Sequence, residues 1–82
     1  MEKTDILQQL QVIFRDILDN HEIVLTESTT ADDVEEWDSL NHIQIVVAVE
    51  KHFAVRFKVQ EIQGWKNVGD ICDNIVMKLE NK

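Results

Sequence analysis

The residues best suited to chemistry lie in the run Asp38-Ser39-Leu40, directly before a stretch that can form a helix. If Asp38 caps that helix, Ser39 falls in its first turn with its hydroxyl facing solvent. The free N–H groups and the positive dipole end at such a position favour a bound or attached phosphate. An Asp-Ser pair often does no more than cap a helix, so the tripeptide alone leaves both interpretations open.

A hydrolytic function for the same residues is disfavoured. Ser39 and His42 would be neighbours on a helix, and with Asp38 they suggest a catalytic triad. An orienting carboxylate that adjoins the nucleophile in sequence cannot also lie behind the imidazole, and no oxyanion-hole loop is visible. The acids between residues 32 and 38 also lack the spacing and central glycine of a calcium loop. We therefore expect neither an enzyme nor a metal site.

Length and composition narrow the class further. The chain has 82 residues, enough for a single domain over residues 1–82 with one compact core. Its net charge of −8 argues against nucleic-acid binding, which needs a basic surface. The apolar run from Ile45 to Val49 is too short to cross a membrane, and no secretory signal opens the chain. The single cysteine, Cys72, excludes an internal disulfide and fits a reducing compartment, so we expect a cytoplasmic protein.

The negative charge is unevenly distributed. Residues 1–38 carry eleven acidic and two basic residues, whereas residues 39–82 carry five acidic and six basic ones. An acidic half of this kind steers basic protein partners toward it, although acidic surfaces also simply keep small proteins soluble.

Hydrophobic periodicity predicts helices at both ends of the chain. Ile6, Leu10, Ile13 and Ile17 recur at helical spacing, in a first helix that Thr4 or Asp5 can cap at its start and that ends near Asn20. A similar apolar stripe over residues 68–79 follows Asn67, a natural N-cap. Between residues 21 and 37 no period is sustained, and the apolar residues there are expected to pin a long acidic loop onto the core, namely Ile23, Val24, Leu25, Val34 and Trp37.

The middle of the chain carries conflicting signals. Leu40, Ile43, Val46, Val47 and Phe53 fit one helical face over residues 39–53. Many residues in this stretch are β-branched, and apolar and polar residues alternate over residues 55–60, as in a half-buried strand. Pattern alone therefore leaves a helix and a helix-plus-hairpin arrangement open.

The run from Asp38 to Phe53 resembles the signature of acyl carrier proteins, in which an Asp-Ser-Leu triplet opens the second helix. The order of segments in the rest of the chain is similar to that family as well. The resemblance implies an all-α fold: a four-helix bundle with a long loop between helices 1 and 2 and a short helix 3. It also implies that Ser39 bears a covalent 4′-phosphopantetheine arm, whose thiol carries acyl or aminoacyl groups as thioesters.

The resemblance further implies site residues and partners. Asp38 and Leu40 flank the attachment serine. Partner docking is expected at Asp32, Asp33, Glu35, Glu36, Trp37, Asn41, His42 and Glu50. An acyl pocket is expected among Val46, Val49, Phe57, Ile62, Trp65 and Ile71. The partners would be a phosphopantetheinyl transferase, an acyl or aminoacyl ligase, and the acyltransferases or synthases of a pathway.

Departures from the family pattern refine this interpretation. The polar positions of the second helix carry Asn41, His42 and Gln44 where carriers of fatty acid biosynthesis are more continuously acidic. This suggests a dedicated pathway, and Trp37 before Asp38 also looks like the D-alanyl carriers. Trp65 replaces a smaller aliphatic residue and is expected to narrow the acyl pocket. The alternative function is an unmodified acidic helical adaptor that binds a basic protein.

Overall fold

The computed structural model describes residues 2–81, and in that range it contains four α-helices and no strand. The helices are α1 (Lys3–Leu18), α2 (Ser39–Phe53), α3 (Val59–Gln63) and α4 (Val68–Glu80). A single 3-10 turn, Ala31–Asp33, interrupts the long α1–α2 connection. The all-α prediction, with its long first loop and short third helix, is therefore confirmed.

The apparent strand pattern after residue 54 has a simple structural explanation. Residues 55–58 form an extended link between α2 and α3, in which Val55 is buried and Phe57 half-buried while Arg56 and Lys58 are exposed. An extended backbone alternates its side chains whether or not it pairs with another strand. The hairpin alternative is thus excluded for the described residues.

Helix α1 forms the centre of the bundle and packs against α2 and α4. Its apolar stripe is buried through Ile6, Leu10 and Phe14, each with no exposed surface. The predicted capping by Thr4 or Asp5 is wrong, because the helix begins at Lys3 with no side-chain cap. At the other end the chain leaves the helix through Asp19, which adopts the left-handed conformation.

The β-branched residues on the inner side of α2 are tolerated because they are buried. Ile45 and Val49 are 1% exposed and lie in the core. Helix propensity disfavours such residues by less than about 0.7 kcal/mol each. Burial of each side chain stabilises the fold by about 1.5–3 kcal/mol, so tertiary packing outweighs the local preference.

The five residues that fit one apolar face of α2 do not share one environment. Leu40, Ile43 and Val47 are 67%, 62% and 43% exposed, whereas Val46 and Phe53 are buried. The helix is apolar on two sides, and periodicity cannot determine which side meets the rest of the protein. In the structure, the side that carries Ile45 and Val49 packs inward.

The α1–α2 loop is attached to the core by both side chains and backbone. Ile23, Leu25, Val34 and Trp37 are buried as predicted, but Val24 is 69% exposed. The Arg15 Nε donates to the Ile23 carbonyl at 2.7 Å, and the Leu25 N–H donates to the Gln11 Oε1 at 2.9 Å. These bonds to α1 give irregular backbone the partners that regular structure would otherwise supply.

The same loop covers the start of α4. Asn67 caps this helix as predicted, and its Oδ1 accepts from the Asp70 N–H at 2.9 Å. The Gly69 N–H donates to the Glu27 carbonyl at 2.7 Å, so the two backbones lie in close contact. A Cβ at position 69 would lie 2.8 Å from that carbonyl oxygen, which only glycine avoids.

No helix within residues 2–81 has the length and apolar character needed to span a bilayer.

We predict that Gly69→Ala destabilises the protein by about 1–3 kcal/mol, because the added methyl group forces the loop off the helix. Alanine ordinarily stabilises a helix relative to glycine by about 1 kcal/mol. A loss of stability in this variant would therefore come from the contact with the loop, because helix propensity alone predicts a gain. Gly64→Ala is the control, since its Cβ would meet its nearest neighbours at an ordinary 3.5 Å. Urea unfolding measures both, and equal stability of the two variants would contradict the prediction.

Candidate functional site

Ser39 is the first residue of α2, and its side chain is exposed. Among the described residues its hydroxyl forms no hydrogen bond, so it is free to react. The N–H groups of the first helical turn have no acceptor within the helix and form the positive end of the helix dipole. An exposed hydroxyl at this position can hold a phosphate ester, whose charge the helix end stabilises.

The turn before Ser39 is held in place by three side-chain hydrogen bonds. Asp38 caps α2 as predicted, because its Oδ1 accepts from the Asn41 N–H at 2.8 Å. The Asn41 Nδ2 donates to the Glu36 carbonyl at 2.8 Å. The Glu36 carboxylate in turn accepts from the Asn20 Nδ2 at 2.7 Å. The position of Ser39 is therefore determined by hydrogen bonds of the residues just before and just after it in the chain.

An open groove of about 460 Å³ borders Ser39. Two tryptophans and a histidine form its apolar surface, Trp37, His42 and Trp65. The rings of Trp37 and His42 are stacked with centroids 5.9 Å apart, and the edge-to-face pair of His42 and Trp65 follows at 6.1 Å. Lys66 also lines the groove and adds a positive charge near the serine.

His42 is held as a neutral imidazole. The Trp37 Nε1 donates to the His42 Nδ1 at 2.9 Å. Because an indole N–H can only donate, Nδ1 must be unprotonated and the ring proton lies on Nε2. Burial lowers the pKa of His42, in keeping with this hydrogen bond.

Trp65 is attached to α4 through a polar chain of contacts. Its Nε1 donates to the Asn74 Oδ1 at 2.9 Å, and the Asn74 Nδ2 donates to the Glu61 Oε2 at 2.9 Å. Glu61 also accepts from the Lys58 N–H at 2.8 Å and pairs with Lys78 at 2.9 Å. The hydrogen bond from Asn74, together with the bonds from Lys58 and Lys78, lowers the pKa of Glu61 to about 2.

The predicted docking acids fall into two groups. Asp32 and Glu35 are exposed and form no hydrogen bond or ion pair with other described residues. The others are occupied within the chain: the Asp33 carboxylate accepts from the Thr30 N–H at 2.9 Å, and the Glu50 carboxylate accepts from the Phe57 N–H at 2.9 Å. Glu36 likewise accepts from Asn20. Some of the predicted docking acids therefore stabilise the local backbone, while Asp32 and Glu35 leave their charges exposed to solvent.

The other predicted docking residues, Trp37, Asn41 and His42, are buried or half-buried. Trp37 is 9% exposed and packs edge-to-face on Phe14 with ring centroids 4.9 Å apart. Asn41 and His42 are half-buried and bond to Glu36 and Trp37, respectively. Of these side chains, Trp37 and His42 reach the surface where they line the groove beside Ser39.

The six predicted acyl-pocket residues are not gathered around this groove. Val46, Val49 and Ile71 are buried, and Phe57 and Ile62 are half-buried. Of the set, Trp65 borders the groove. A shared role of these residues in holding cargo stays a prediction.

Sequence reasoning missed an exposed apolar stripe on α2. Leu40, Ile43 and Val47 follow Ser39 at helical spacing and point to solvent. Three exposed apolar side chains in a row are unusual for a surface helix and are typical of a protein contact. The sequence feature that could have revealed this stripe is that α2 carries apolar residues on two sides, only one of which can face the core.

The fold and the serine site have counterparts among known proteins. Residues 8–75 match the family model described as the phosphopantetheine attachment site. The acyl carrier protein of Thermosynechococcus vestitus is 31% identical over 80 residues, covering 96% of this chain and 98% of the relative. That of Coprothermobacter proteolyticus is 32% identical over 83 residues and covers both chains completely. The solution structure of holo acyl carrier protein from Geobacter metallireducens superposes with a TM-score of 0.86, at 43% identity, covering 92% of this chain and 86% of that one.

A match over most of the chain, with a free serine at a helix start, defines a carrier with a covalently attached 4′-phosphopantetheine. The chain belongs to the acyl carrier protein family, whose members are carriers and not enzymes.

We predict that the stability of the protein falls as the pH is lowered from 7 to 5.5, in part because of His42. Its pKa is lower in the folded than in the unfolded state, so the unfolded chain binds more protons in this window and gains relative stability. Urea unfolding at several pH values measures the loss. His42→Asn retains an acceptor for Trp37 but does not titrate, and it should show a smaller loss than the wild type.

The matched control is His21→Asn, which changes an exposed histidine outside the groove. It should retain the pH dependence of the wild type. If His42→Asn and the wild type lost equal stability, the neutral imidazole would not be a structural requirement.

Proposed function

We propose that Ser39 carries the 4′-phosphopantetheine arm and that the chain presents acyl or aminoacyl thioesters to partner enzymes. The observation that carries this proposal is the exposed, unbonded Ser39 hydroxyl at the start of α2, in a chain of this family. When attached, the arm supplies a terminal thiol that holds the cargo as a thioester.

The residues around Ser39 fit such a group. A phosphodiester on the hydroxyl would meet the positive end of α2, with Lys66 as a further positive charge along the groove. Asp38 and Asn41 hold the turn without using the serine hydroxyl. Leu40 follows the serine with 67% of its surface exposed, so nothing covers the attachment point from that side.

The proposed docking surface combines charge and apolar area. The exposed stripe of Leu40, Ile43 and Val47 lies on the same helix as Ser39 and gives partner enzymes an area to bury. Asp32 and Glu35, just before the helix, attract basic residues on those enzymes and accelerate encounter. A small surface of this kind suits fast and weak binding, as a carrier that visits several enzymes requires.

We further propose a dedicated pathway in the cytoplasm, served by the protein as a monomer. Gln44 and Lys51 are exposed on α2, so partners of this chain would meet a helix that is less acidic than the loop before it. The partners would be a phosphopantetheinyl transferase, an acyl or aminoacyl ligase, and the acyltransferases or synthases that use the cargo.

The attachment site is tested by intact mass. We expect coexpression with a promiscuous phosphopantetheinyl transferase to add the mass of one phosphopantetheinyl group, and Ser39→Ala to abolish the gain. Ser28→Ala is the matched control, because Ser28 is the other serine of the chain and is also exposed. An unshifted wild type, or a shift that persists in Ser39→Ala, would refute the proposal and leave the unmodified adaptor.

The docking charges are tested by reversing them. We expect Asp32→Lys with Glu35→Lys to slow modification by the transferase about tenfold at low salt and much less at high salt, where exposed charges are screened. Asp16→Lys with Glu80→Lys is the control, with the same change in net charge at positions outside the loop. A loss that does not depend on ionic strength would indicate damage to packing and contradict electrostatic steering.

A further inference from the structure

The interior of the bundle is lined by side chains that are sealed from solvent. Phe14, Val68 and Ile75 have no exposed surface, and Val49 and Ile71 are 1% exposed. Interiors packed in this way admit a new group only if their walls move. A tethered acyl chain could therefore enter only by displacing a side chain at the edge of the core.

Trp65 is the side chain at that edge. It borders the groove beside Ser39 and packs against the core, with Phe57 edge-on at 4.9 Å. A large ring in this place separates the outer groove from the packed interior. Whether it acts as a barrier depends on how firmly it is held.

The contacts of Trp65 hold it firmly. Its indole N–H is bonded to Asn74 on α4, and Asn74 is bonded to Glu61 on α3. Glu61 is ionised and also binds Lys78 of α4, so the charge strengthens the whole chain of hydrogen bonds. Swinging the ring aside would break the bond to Asn74, and moving α3 would separate Glu61 from both of its partners on α4.

We infer that Trp65, positioned by Asn74 and Glu61, closes the interior of the bundle to cargo, so that the carrier takes short acyl groups. This inference rests on the proposed attachment to Ser39. The cargo lies in the outer groove of about 460 Å³, against the rings of Trp37, His42 and Trp65. The arm starts at the rim of this groove, and a chain that folds back from Ser39 meets these apolar faces first. Trp65 is the specificity-determining residue, and Asn74 and Glu61 are positioning residues.

The test compares a short and a long cargo on the same protein. A promiscuous transferase moves the acyl-phosphopantetheinyl group of butyryl- or octanoyl-coenzyme A onto the Ser39 hydroxyl and releases adenosine 3′,5′-bisphosphate, and intact mass verifies the product. In the wild type we expect both cargoes to shift the indole N–H signals in the NMR spectrum. Neither should show nuclear Overhauser contacts to the methyl groups of Val49 or Ile71. In Trp65→Ala, the octanoyl chain should gain those contacts, while the butyryl group should not.

The positioning role is tested by breaking and then rebuilding the contacts. Asn74→Ala should shift the Trp65 indole signal and allow the octanoyl chain to contact Ile71. The double variant Glu61→Gln with Asn74→Asp reverses the direction of the central hydrogen bond and leaves acceptors for Trp65, Lys58 and Lys78. It should restore exclusion of the octanoyl chain, which a loss of general stability would not explain.

The outcomes distinguish failure of the carrier function from failure of the barrier. If no cargo is loaded onto Ser39, the proposed function itself fails. If loading succeeds but octanoyl contacts to Val49 or Ile71 appear in the wild type, the barrier role of Trp65 is overturned and carrier function stands. If Asn74→Ala excludes octanoyl as well as the wild type does, Asn74 and Glu61 have no positioning role. The positioning role is also overturned if the double variant fails to restore exclusion while remaining folded by circular dichroism.

Discussion

The packing of Trp37 on Phe14 determines where the functional part of the molecule begins. The two rings meet edge-to-face with centroids 4.9 Å apart, at the point where the acidic loop reaches the core. The next residue, Asp38, caps α2, and the residue after it is Ser39. A buried ring and a freely exposed hydroxyl are thus two positions apart, and the core fixes the place of the serine without touching it. Such a site stays reactive because the groups that hold the turn leave the serine hydroxyl itself unbonded.

The elements with local signals could be predicted from sequence. The caps of Asp38 and Asn67 follow from side chains that bond their own backbone three residues away, and the stripes of α1 and α4 follow from spacing alone. The orientation of α2 could not be predicted, because Val49 and Ile43 lie on two apolar sides that compete for the core. The close contact of Gly69 with the loop likewise depends on the packing of distant segments.

The candidate site, like the fold, was predictable only where its features depend on neighbouring residues in the chain. The exposure of Ser39 follows from its place after a cap, but the roles of the acids do not follow from their charge. Asp33 and Glu50 bond backbone N–H groups of their own chain, which a sequence shows only as acidic residues. The groove could not be predicted either, because it brings together Trp37, just before α2, and Trp65, in the link between α3 and α4.

Helix α2 must satisfy two demands that oppose each other. Its inner side holds the bundle together through Ile45 and Val49, while its outer side exposes Leu40, Ile43 and Val47 to water. An exposed apolar stripe favours association of one copy with another as well as with partners. The net charge of −8 opposes the first of these, because identical acidic surfaces repel each other and attract basic ones. The concentration of acids in the loop before α2 therefore acts with the stripe: the charge selects which surfaces approach, and the apolar side chains give them area to bury.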